Sequence, residues 1–218
     1  MVMPMLDADS TNAARTAPER RGGEPCERPG EASADLARAV LERLLVAHET
    51  WYDVTRDYEL AGRRFPALAA FHQSGERYVL SKRAKLWGVS NHEYVFFDLV
   101  GHLDEPLLRS YLGFMRTDAL TLVDPTEPDH MSTNLCLVLI AEGADDGALR
   151  LARSTRFRKN YRFGLQGWSD LKVAVVDLGR GEGCGVITNG AGRTMRKLIA
   201  TNVSKVLAQE AHGEGTSV

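Results

Sequence analysis

Glu76–Phe97, ERYVLSKRAKLWGVSNHEYVFF, decides how the rest of this 218-residue chain is read. Tyr78, Leu80, Ala84 and Leu86 alternate with Arg77, Ser81, Arg83 and Lys85. That period of two predicts a strand with one apolar face and one basic face. Gly88–His92 is rich in turn formers and predicts a five-residue loop. Glu93–Val100 is apolar on both faces, as expected for a strand covered on both sides. The stretch therefore predicts a hairpin.

Working outward, Phe65, Ala67, Ala69 and Phe71 alternate before it, and Tyr58–Ala61 precedes them across a turn at Gly62-Arg63. Pro66 predicts an edge position for that strand, because proline lacks a donor for a second neighbour. Together these segments predict an antiparallel meander. Leu36, Val40, Leu41, Leu44, Leu45 and His48 recur at helical spacing, so a helix is expected over about 34–52. On the other side, Leu103–Leu120 is the second expected helix, with Asp104 as cap and Pro106 in its first turn. DPTEPDH (124–130) reads as a loop, and Leu135–Ala141 as a central buried strand. A third helix is expected from Asp145 or Asp146 to about Arg156. Strands follow at Tyr161–Leu165, Leu171–Leu178 and Val186–Thr188. Asn189-Gly190 then turns into a last helix over Arg193–Glu210. The order predicts an α+β fold, in which the meander extends into one mixed sheet with helices packed on it.

Composition sets the boundaries. Residues 1–32 hold four arginines and six acids, and beyond the first six residues no Ile, Leu, Val or aromatic. Such a segment cannot bury enough apolar surface to offset its ordering entropy, so it is expected to be disordered. Residues 33–210 are expected to form one domain, and 211–218 a flexible tail. Net charge is −2, and the chain beyond residue 32 carries 23 basic and 23 acidic residues. A neutral body argues against a dedicated nucleic-acid-coating protein, but not against a local basic patch. No apolar run approaches the roughly 18 residues of a membrane span. The N-terminus lacks the apolar region of a secretory signal, so the expected location is cytoplasmic. Cys26, Cys136 and Cys184 are too widely spaced for a disulfide framework or a CxxC metal site.

No motif names a reaction or a cofactor. The histidines show no HxH or HExxH spacing, so no metal ligand set is identified. His92 and His130 are expected to hold turns. GRGEGCG (179–185) lacks the following helix of a phosphate loop, and no serine lies in a GxSxG elbow. Charge clustering is more informative. Arg150–Arg162 holds Arg150, Arg153, Arg156, Arg158, Lys159 and Arg162 without one acid, with Phe157 and Tyr161 between them. With Arg77, Arg83 and Lys85 these form a candidate surface for phosphates and stacked bases. The ordinary alternative is a helix C-terminus, whose dipole favours cations. Asp98 is a carboxylate inside an apolar strand and needs a cationic partner. A loop at Gly88–His92 sets Lys82 opposite it, and a one-residue slip sets Arg83 there.

The blocks YVLSKRAKLW (78–87), HEYVFF (92–97), DHMSTNLCLVLIAEG (129–143), RFGLQGWSDLKVAVVDL (162–178) and VITNGAG (186–192) resemble, in this order, an uncharacterised domain family of bacteria and archaea. The resemblance spans roughly residues 35–200. It implies one domain and carries over no catalytic or binding residue.

The leading expectation is a non-enzymatic binding domain for a phosphate-bearing ligand or a nucleic acid. Its candidate residues are Arg77, Arg83, Lys85, Arg153, Arg156, Arg158 and Lys159, with Lys82 and Asp98 as a functional or structural pair. One rival is a metal-dependent hydrolase or nuclease using Asp98, Glu142 and Asp177 with Lys85 or Lys172. Another is a structural subunit of a complex, which predicts a large exposed apolar patch.

Overall fold

The computed structural model describes residues 29–78, 85–183 and 185–213. Their order is α1 (Pro29–His48), β1 (Asp53–Leu60), β2 (Arg63–Tyr78), β3 (Lys85–Leu103), α2 (Glu105–Arg116), β4 (His130–Ala144), α3 (Asp146–Ser154), β5 (Arg158–Asn160), β6 (Trp168–Asp177), β7 (Gly185–Thr188) and α4 (Arg193–Gly213). One mixed sheet runs β1-β2-β3-β4-β6, with both β5 and β7 on the outer side of β6. β1, β2 and β3 are antiparallel, and β3, β4 and β6 are parallel. The expected α+β domain is therefore what forms. The expected tract 1–32 lies outside the described residues except for 29–32, where α1 has already begun.

Parallel neighbours need crossovers, and α2 and α3 supply them. Both helices lie on one face of the sheet, over Phe96, Leu137, Leu139, Val173 and Val175. α1 and α4 cover the other face, over Val95, Phe97, Val138, Ile140 and Val176. Residues 135–141 are fully buried, which explains their unbroken apolar run. Asp104 caps α2 by accepting from the Leu107 N–H at 2.8 Å, and Pro106 occupies its first turn.

Three expectations are corrected. Gly88–His92 does not turn. It continues β3, with Gly88 opposite Glu76 and His92 opposite His72. Its polar residues are consumed by neighbouring strands instead of by a local loop. Asn91 Oδ1 accepts from the Ser132 hydroxyl at 2.7 Å, and the Ser90 hydroxyl donates to Glu127 at 2.9 Å. Pro66 does not mark an edge, because β2 lies between β1 and β3. It is tolerated where pairing is weakest. The β3 register begins only at Ala67–Phe97, and opposite it β1 breaks at Asp57, which has φ 51°. Finally, Tyr161–Leu165 is not a strand. The strand is β5, and 161–167 is the loop joining it to β6, with Arg162 and Phe163 at φ 42° and 55°. Phe163 and Leu165 stand exposed on that loop, the apolar side chains a scaffold role has to work with.

Among the described residues no helix is long and apolar enough to cross a membrane.

Candidate functional site

The outer edge of β6 changes partner part-way along. Residues 168–170 pair with β5 and 174–177 with β7. Between them Asn189, buried at the end of β7, replaces a strand with one side chain. Its Oδ1 accepts from the Val173 N–H at 3.0 Å, and its Nδ2 donates to the Leu171 carbonyl at 2.8 Å. The same amide donates to the Thr155 carbonyl at 3.2 Å and accepts from the Gly192 N–H at 2.8 Å. The Asn-Gly pair that reads as a plain turn is thus the rivet joining β6, the end of α3 and the start of α4. Gly192 must be glycine here. A Cβ would stand 2.8 Å from the Val173 carbonyl oxygen and 2.9 Å from Asn189 Oδ1.

This rivet places a cavity of about 260 Å³ between α3, β7 and the first turns of α4. Arg153, Arg193 and Arg196 line it with Val186, Ile187, Thr188 and Gly190, and no acid is among them. None of the three arginines makes an ion pair or hydrogen bond among the described residues. Arg153, in the last turn of α3, has an ordinary explanation in the helix dipole. Arg193 and Arg196 do not. They stand in the first turns of α4, where the dipole is positive and the first turn holds no acid. Cations there oppose the dipole and leave the helix's first N–H groups facing positive charge. Local rules broken without compensation among the described residues are expected at functional or strained sites.

The other expected residues separate. Arg156 lines an adjoining cavity and has no partner among the described residues. Arg158 is committed. It donates to both oxygens of Asp170, at 2.7 and 2.6 Å, and its guanidinium lies 5.4 Å from the Trp168 ring. Lys159 sits 5.4 Å from the Tyr161 ring. Lys82 and Arg83 lie outside the described residues, and of Arg77 and Lys85 only the backbone is described. Arg193 and Arg196 are absent from the sequence-based set because they lie beyond the thirteen-residue cluster. The available signal was two arginines in the first turn of a helix.

The expected pairing of Asp98 with Lys82 loses its cross-strand premise, and Lys82 itself lies outside the described residues. Because β3 runs straight through 88–92, Phe97 faces Ala67, at the opposite end of β2 from the 79–84 connection. The partners of Asp98 are Tyr111 of α2, whose hydroxyl donates at 2.7 Å, and the Leu99 N–H at 2.8 Å. Burial pushes the Asp98 carboxyl up, against the lowering effect of these two donors and of Arg63. Arg63 lies 3.7 Å from the Tyr111 ring centroid. Arg63 thus acts on Asp98 as a nearby positive charge without forming an ion pair with it.

The carboxylates of the hydrolase reading do not converge. Asp98 and Asp177 face α2 and α3, whereas Glu142 alternates to the opposite face, and β4 separates the first two. Asp177 is buried and accepts from Arg180 at 2.8 Å. Among the described residues no three His, Cys, Asp or Glu side chains group as a metal site.

A second polar cluster lies where β3 and β4 begin. The Ser90 hydroxyl donates to Glu127 Oε1, so His92 Nε2–H donates to Glu127 Oε2 at 2.7 Å. His92 Nδ1 is then the acceptor for His72 Nδ1–H, 2.8 Å away. Ser90 and His92 hold the Glu127 carboxyl below its usual value. His130 bridges the Gln166 carbonyl at 2.8 Å and Thr133 Oγ1 at 2.9 Å, and so holds the loop after β5 as expected. On the other face Lys172 donates to Glu93 at 2.7 Å, with side chains only 14% and 16% exposed. Burial disfavours the Lys172 ammonium, but Cys136, Glu93 and Asp170 more than offset it and raise its pKa.

The family model for a domain of unknown function, DUF8052, matches residues 37–201, and the chain belongs to that family. Comparison with curated proteins and with solved structures gave no match.

Proposed function

We propose that this DUF8052 domain is a binding module for a phosphate-bearing ligand, held by Arg153, Arg193 and Arg196 at the start of α4. The observation that supports this reading is the set of three arginines on one cavity, without a partner or a lining acid among the described residues, two of them against a helix dipole. A phosphate supplies what the cavity lacks. Its oxygens accept in-plane pairs of N–H bonds from guanidinium groups and terminate the first N–H groups of the helix. The Gly190–Gly192 segment keeps side chains away from the mouth, and Asn189 fixes its backbone. The described lining side chains are chiefly cationic and apolar, and the reading is one of recognition.

The test is calorimetric titration with inorganic pyrophosphate between about 20 and 200 mM salt, on the native chain and on the triple variant R153Q/R193Q/R196Q. Affinity should fall as salt rises, since the attraction is largely between charges near the surface. The triple variant should stay folded and lose binding by at least tenfold. Absence of binding at the lowest salt, or undiminished binding by the triple variant, overturns the reading.

A further inference from the structure

A second cavity of about 290 Å³ opens beside the arginine cavity and shares Gly190 with it. Its walls include Phe157, Ala191, Arg156 and the clamped pair Arg158–Asp170, over a floor of Thr155 and Asn189. Each cavity alone lies near the floor of about 300 Å³ usual for small-molecule sites, and side by side they exceed it. A phosphate on the three arginines leaves the second cavity empty.

The hydrogen-bonding capacity of the buried floor and the clamped pair is almost spent, which leaves the Arg156 guanidinium as the open donor among the described lining side chains. Asn189 uses its oxygen twice and its amide nitrogen twice, all on backbone groups. Both oxygens of Asp170 already accept from Arg158. The Thr155 hydroxyl donates to the Leu151 carbonyl at 2.8 Å. A polyol entering here brings hydroxyls that lose water and find few new partners, which is costly. A flat ring does not have that difficulty. It loses little by desolvation and gains by stacking on an aromatic ring or a guanidinium plane, as Phe157 and the unpartnered Arg156 provide.

We propose, resting on the phosphate reading above, that the ligand is a nucleotide, with its phosphates on Arg153, Arg193 and Arg196 and its base in the cavity of Phe157 and Arg156. Gly190 is then the bridge over which the sugar passes. An added Cβ at Gly190 meets nothing within 4 Å, so a larger side chain fits the fold and projects into the junction of the two cavities.

The experiment titrates the native chain and G190L with ADP, ribose 5-phosphate and pyrophosphate at one low salt concentration. The expected result is ADP at least tenfold tighter than pyrophosphate, with ribose 5-phosphate weaker than ADP. G190L crowds the junction itself and should lose most of that advantage, with a larger loss of affinity for ADP than for pyrophosphate and an unchanged melting temperature. If pyrophosphate binds as tightly as ADP, the nucleotide assignment falls while the phosphate reading stands. The same holds if ADP prevails but G190L binds it undiminished. If no probe binds, both fall together.

Discussion

The outer edge of β6 and the beginning of β3 and β4 are both dense in polar side chains, yet they balance their charges in opposite ways. At the start of β3 and β4 every group has an answer within the chain: Ser90 and His92 for Glu127, Thr133 for His130, and Lys172 for Glu93. At the edge of β6 Asn189 answers the uncharged groups and Asp170 answers Arg158, whereas Arg153, Arg193 and Arg196 have no partner among the described residues. A closed network reports on stability, because removing one member strands the others. An open set of like charges reports on something outside the chain. The contrast separates residues that hold the fold from residues that we propose hold a ligand.

The largest effect that can break this comparison is at Asn189. N189A strands buried donors and acceptors on Val173, Leu171, Gly192 and Thr155 and should destabilise by about 4 kcal/mol. The measurement is the urea midpoint, and a loss below about 1 kcal/mol would mean that the edge closes without its rivet. K172M leaves Glu93 with neutral partners, the Tyr52 hydroxyl at 3.3 Å and the Cys136 thiol, and should cost about 3 kcal/mol in the same assay. By contrast R193Q/R196Q relieves two charges that oppose the α4 dipole. It should raise stability by about 1 kcal/mol while pyrophosphate binding is lost. A destabilised double variant would place those arginines in the closed class.

The smallest effect is pH dependence near the His92 network. The Glu127 carboxyl is held below its ordinary value by Ser90 and His92. Its contribution is therefore complete above the unfolded carboxylate pKa of about 4.3 and is lost as pH falls through the lower folded value. E127Q should flatten the stability profile on the acid side of pH 4.3 and leave it unchanged between pH 5 and 8 except for a constant offset. An unaltered acid slope would show that Glu127 does not carry it.

Most of the scaffold was legible because the signals that define it are local. The apolar run 135–141, the Asp104 cap and the helix pattern after Asp145 each depend on a few neighbouring residues. The position of the hairpin was not legible. Gly88 through His92 have turn chemistry, but the side chains of Ser90, Asn91 and His92 pair with β4, with the loop before it and with His72, far away in sequence. The Lys82–Asp98 pairing failed with it, since it depended on that loop. The candidate site was half legible. Arg153 and Arg156 belong to a visible cluster, whereas Arg193 and Arg196 join it only because β7 returns α4 to the end of α3. Arg158 looked like its neighbours until Asp170 was found across the strand pair.

Asn189 has one more consequence, for the protein's behaviour in a crowded solution. β6 carries the run Val173–Val176, and a bare stretch of its edge would offer unpaired backbone groups to any other chain. Two short strands with a gap between them would leave such a stretch, and one amide side chain fills it. The rivet is therefore also a guard against strand addition. A chain that loses it should form growing assemblies as well as melt earlier.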